Sequence, residues 1–173
     1  MSASHNPAFL LINFAGFQLS WWTLVVFGDS AIPLALTLLA LHFAVVPNKP
    51  LEFRIVAGTA LTGIAIDGLL SLSSVWVFPE TVLPLWLAVL WLCFSATLRH
   101  SLRPLWQYPR VLPMLGAVGG SSSYLAAHAL GAVSLGFNLL STTLLCVFLW
   151  FLIFPLGIKY CQYCERDSGT HDH

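Results

Sequence analysis

Asp67 is the residue in this sequence whose position most needs a chemical reason. It stands in Gly63-Ile64-Ala65-Ile66-Asp67-Gly68, near the middle of a long apolar run. At the centre of a membrane-spanning helix a carboxylate costs roughly 2.5–3.5 kcal/mol. Such a group must face the interior of a helix bundle, meet a hydrogen-bond donor, or stay protonated. Its functional reading is a ligand-binding, proton-coupling or acid/base group, and its structural reading is a carboxyl that locks two helices together.

Other polar residues fall at matching depths in other runs. Gln18 lies near the middle of the first, with Asn13 nearer one end. Tyr124 lies just off the middle of the fifth, His128 one turn beyond it, and Asn138 at the start of the sixth. Gln18, Asp67 and Tyr124 are expected to share one layer, with His128 and Asn138 just outside it. Taken singly, Asn13, Gln18 and Asn138 are better read as helix-to-helix glue, worth about 0.6–2 kcal/mol each. Gly116, Gly120, Tyr124 and His128 recur every fourth residue and share a helix face. Glycines at that spacing let another backbone approach closely. Cys161 and Cys164, with His171 and His173, make a weak zinc pattern that lacks a core to fix its geometry. No phosphate-binding loop, dinucleotide fingerprint or nucleophile elbow occurs, so the sequence asks for no cofactor.

The elements that position these residues follow from composition. The 173 residues are 58% hydrophobic and 8% charged, against about 25% charged in ordinary soluble domains. Mean hydropathy is +0.83. Too little polar surface exists to cover a water-soluble globule, so the expected class is an all-α polytopic membrane protein. Zero net charge excludes a basic nucleic-acid face.

Six apolar runs are separated by turn residues, at about 9–27, 31–46, 55–77, 83–98, 111–130 and 136–156. Runs this long must be helices in hydrocarbon, because their backbone groups have to be satisfied internally. The domain is thus 1–158, with 159–173 read as a disordered cytoplasmic tail. Lys49, Arg54, Arg99, Arg103, Arg110, Lys159 and Arg166 all follow even-numbered runs, whereas the other loops carry Asp29 and Glu80. By the positive-inside rule both termini are cytoplasmic. Four cysteines without an extracellular framework are expected as free thiols.

Leu83-Pro84-Leu85-Trp86-Leu87-Ala88-Val89-Leu90-Trp91, continued by Leu98-Arg99-His100-Ser101-Leu102, resembles the central signature of domain-of-unknown-function family 2878. Asn13 through Phe17-Gln18 to Trp21, Gly63 to Asp67 with Leu69-Leu70, and Gly116 through Gly120 to Tyr124 resemble its other motifs, in order. The chain departs from the pattern at Arg99, Ser121 and Ala127, and His128 matches no motif position. The resemblance implies a small bacterial inner-membrane protein with lipid-related surroundings and no established activity. It also draws attention to His100, expected at the inner interface, exposed and within reach of lipid headgroups.

Three functions compete. The favoured one is a binding or transport module for a small or lipid-like molecule, which is not an enzyme. The others are a membrane-embedded lipid-modifying enzyme and a scaffold without chemistry. The expected surroundings are the lipid bilayer and other inner-membrane or lipid-metabolism proteins.

Overall fold

The computed structural model describes residues 7–79 and 81–170. Its elements are α1 (Pro7–Phe27), α2 (Ile32–Val45), α3 (Lys49–Leu72), a short strand β1 (Trp76–Val77), α4 (Leu85–Ser95), α5 (Leu112–Ala129), a second strand β2 (Ser134–Leu135) and α6 (Leu139–Thr170). Three helical stretches are long and apolar enough to cross a membrane: Pro7–Val45 taken through its 3₁₀ turn, Lys49–Leu72, and Leu139–Gly169.

Turn chemistry sets several boundaries. Gly28, at φ +58°, turns the chain between α1 and α2. Asn48 caps α3 by accepting the Leu51 amide at 3.1 Å, and Pro50 sits in the first turn, where its missing N–H costs nothing. Asp29 accepts the Trp86 amide at 2.9 Å, so the α1–α2 turn holds the start of α4.

α4 is the centre of the packing and contacts α1, α2 and α3, while α5 lies along α6. Glycines permit two of these approaches. A Cβ on Gly63 would lie 2.2 Å from the Trp91 ring, and one on Gly120 would lie 1.9 Å from Trp150. The four-residue glycine spacing in α5 therefore serves the packing against α6. The two strands pair antiparallel, Trp76 with Leu135 and Val77 with Ser134. They join the α3–α4 and α5–α6 connections at one end of the bundle.

Several boundaries differ from those expected: the third run is already helical from Lys49 rather than Ile55, where Asn48 caps it, and the sixth begins at Leu139 rather than Gly136. The fourth run leaves the helix at Ser95 rather than Leu98; Ser95 and Thr97 hydroxyls bond back to the carbonyls of Trp91 and Phe94, and 96–102 proceeds in turns. The third run stops being helical at Leu72 and reaches Val77 as a strand. The tail expected to be disordered from Lys159 is helical to Thr170. Two of its acids find partners: Arg99 and Arg103 bond Glu165, and Arg54 bonds Asp167.

Candidate functional site

Asp67 lies at the interior of the bundle, 2% exposed. The close approach at Gly63, one turn earlier, brings Trp91 from α4 over α3, and its Nε1 donates to Asp67 Oδ2 at 2.6 Å. The Tyr124 hydroxyl donates to the same oxygen at 2.6 Å. Trp76 Nε1, on β1, donates to Oδ1 at 3.3 Å. Three donors from α4, α5 and the β1 loop thus converge on one carboxyl, and an indole N–H can only donate. The rings are stacked in turn: Trp76 on Tyr124 at 4.9 Å, and Trp91 on Trp150 at 5.5 Å. The void beside Asp67 is about 10 Å³, room for one water at most.

The space for a ligand lies on the other side of those rings. A half-open cleft of about 630 Å³ is bounded by α1, α4, α5 and α6, within the range of small-molecule sites. Five tryptophans line it, and among the described residues none that lines it is Asp, Glu, Lys, Arg or His. Its polar groups are few: Gln18 on one wall, Ser122, Ser123 and Tyr124 on the facing wall, and Thr97 and Ser101 towards the 3₁₀ turn (Arg103–Gln107). Trp21 Nε1 donates to Ser123 Oγ at 2.7 Å and ties α1 to α5 across the cleft. Asp67 is not on the wall. Trp91 and Tyr124 are, so the carboxyl fixes two residues that face the cleft.

A second polar cluster occupies the end of the bundle where α3 begins. Glu52, fully buried in the first turn of α3, is met by His42 from α2, whose Nε2 lies 2.9 Å from Oε1. His100 Nε2 lies 3.0 Å from Oε2, and Arg99 Nη1 donates to the same oxygen at 3.1 Å. Burial works against the Arg99 charge, but its bonds to Glu165 and Glu52 outweigh that and raise the guanidinium above its ordinary value. Asn13 stitches α1 to this end: its amide donates to the Ala96 carbonyl at 3.2 Å and accepts the Ser101 amide at 3.2 Å.

Asp67 and Tyr124 are brought together in one hydrogen bond, and Gln18 lines the cleft that Tyr124 also lines rather than joining the bonds to Asp67. His100, expected to be exposed at the interface, is buried at 1% exposure because it closes on Glu52. His128 Nδ1 meets the Val133 carbonyl at 2.9 Å, where α5 ends. Asn138 accepts the Ser141 amide at 2.9 Å as α6 begins. Both shape helix ends and line neither site. Cys161 and Cys164 are buried on α6, and His171 and His173 lie outside the described residues. Sequence reasoning missed Trp76 and Trp91 as partners of Asp67, and it missed His42 and Glu52. His42, a lone imidazole in an apolar run ten residues before a glutamate, was the available signal for the latter.

Fold and site together define a helical protein of apolar helices with two buried carboxyls, Asp67 and Glu52, and an uncharged cleft. The family described as "Protein of unknown function (DUF2878)" matches residues 10–156, and the chain belongs to it. No curated protein and no solved structure matches the chain.

Proposed function

We propose that the chain is a bacterial inner-membrane protein that crosses the bilayer six times, with both termini in the cytoplasm, and binds a neutral lipid-like molecule in the cleft between α1 and α5. The cleft itself carries this reading: about 630 Å³ of largely aromatic and aliphatic wall, with no charged side chain among the described residues. In such a site a charged headgroup would lose its hydration without a partner. A long apolar chain or ring system with one or two hydroxyl or carbonyl groups fits, with Gln18 and the Ser122–Ser123 pair as its hydrogen-bonding partners. Asp67 is then a positioning residue, which holds the Trp91 and Tyr124 rings in the cleft wall.

The positions of the ion pairs support the orientation. Arg54, Arg99 and Arg103 all pair within one end of the bundle, with Asp167, Glu52 and Glu165, while Asp29 sits at the start of α4. A reporter fused after His173 should read as cytoplasmic.

A photoreactive long-chain alcohol, added to membranes holding the protein, tests the ligand class. Cross-links are expected at Gln18 and at Ser122–Tyr124. Labelling confined to outward residues such as Leu61 and Val118, which are 65% and 70% exposed, would show that the probe meets only the lipid-facing surface and would refute the cleft as a binding site.

A further inference from the structure

We propose that His42, Glu52 and His100 form a binding site for one divalent transition-metal ion at the end of the bundle where α3 begins. Their ligand atoms, two imidazole nitrogens and a carboxylate oxygen, all lie within 4.8 Å of one another. Three separate elements supply them: α2, the first turn of α3, and the turn that follows α4. Both rings aim the same nitrogen, Nε2, at one carboxylate, at 2.9 and 3.0 Å. Two imidazoles and a carboxylate are a recurring ligand set for zinc, and they leave a fourth position open. The absence of thiolate from the set also disfavours copper(I).

Charge neutralisation does not explain the two imidazoles. Arg99 already brings a full positive charge to Glu52 Oε2 at 3.1 Å. With an ion on the other oxygen, Arg99 becomes the outer partner that orients a ligating carboxylate. The histidines can present the required lone pairs. An ion in place of the Nε2 proton that Glu52 now accepts would move that proton to His100 Nδ1, which is buried and has no hydrogen-bond partner among the described residues. His42 Nδ1 lies 3.4 Å from the Asn13 side-chain amide. A half-turn of that amide would offer it Oδ1 as an acceptor, in exchange for the present bonds to the Ala96 carbonyl and the Ser101 amide. Phe9, in the first turn of α1, packs edge-on to His100 at 5.2 Å and covers the site. None of the three ligands lines the cleft, so this site and the neutral-lipid reading stand or fall separately.

The test uses tag-free, full-length protein in detergent, stripped with chelator and titrated with cobalt(II), whose visible absorption reports low coordination number. One cobalt per chain is expected, with X-ray absorption showing nitrogen and oxygen neighbours and no sulfur. His42→Ala and His100→Ala should each weaken binding at least tenfold, while the double variant Cys161→Ser/Cys164→Ser should bind as wild type does. Loss of binding in the cysteine variant, sulfur in the cobalt shell, or no saturable binding by the wild type would each overturn the proposal. The X-ray absorption and wild-type titration decide it even where a histidine variant fails to fold.

Discussion

Replacing Asp67 by Asn changes one oxygen to an NH₂ group and removes the charge, with almost no change in shape. The best placement of the new amide puts its carbonyl where Oδ2 was, to keep the 2.6 Å donors from Trp91 and Tyr124. Its NH₂ then faces Trp76 Nε1, donor against donor, in place of the 3.3 Å contact. Hydrogen bonds to charged groups contribute about 1.5–3 kcal/mol and neutral ones about 0.5–1.5, so the two retained bonds lose about 1 kcal/mol each. The unpaired indole adds roughly 1–3 kcal/mol. The sum is roughly 3–5 kcal/mol, and about 3 is expected, because polar groups in unfolded helices within the membrane also find partners. Tyr124→Phe removes a single donor and should cost less. The pair should be non-additive, as contacting residues are. Unfolding in detergent, followed by tryptophan emission, measures each variant. A loss below about 1 kcal/mol for Asp67→Asn, with emission unchanged, would mean that the aromatic residues do not depend on this carboxyl.

The other side-chain contacts give sharper local tests. Gly63→Ala places a Cβ 2.2 Å from a Trp91 ring that cannot retreat, and should destabilise by about 1–3 kcal/mol; Gly16→Ala, with nothing within 4 Å, should not, and equal stabilities would refute the helix approach. Glu52→Ala strands Arg99 and two histidines in a buried site, so its cost should fall near 3 kcal/mol, the low end of the range for a broken buried pair, because Arg99 keeps Glu165; unchanged thermal unfolding would contradict this cluster. All four cysteines are buried and free, so a maleimide reagent should reach completion only after denaturation. Full labelling of Cys161 and Cys164 in the folded protein would detach the end of α6 from the bundle.

Asp67 was legible because hydrocarbon makes an isolated carboxyl expensive, and Tyr124 because depth along a helix follows from a fixed rise per residue. Trp76 and Trp91 were not. Tryptophan has an ordinary place at membrane interfaces, and nothing local says that β1 folds Trp76 back towards α3. Glu52 stands between Lys49 and Arg54, which marked it as an aqueous loop residue. His42, ten positions earlier, was its one local signal; its other partners, Arg99 and His100, come almost fifty positions later, and pairings at that distance leave no local pattern. The same reason hid the length of α6: its polar end reads as a tail until Arg54, Arg99 and Arg103 are placed beside it. The apolar runs were legible as helices, with ends that shifted where side chains bonded back to the backbone.

The neutral-lipid cleft is tested most directly by filling it. Gly119 lines the cleft, and a Cβ there meets nothing within 4 Å, so Gly119→Phe should fold and occupy the space. Gly68, with equally open surroundings but outside the cleft, gives a control of the same bulk in Gly68→Phe. Mass spectrometry of lipid extracted from each purified protein should find a neutral lipid at near one per chain in the wild type and in Gly68→Phe, and a loss of at least tenfold in Gly119→Phe. Equal amounts of that lipid in all three proteins would contradict the cleft as its binding site.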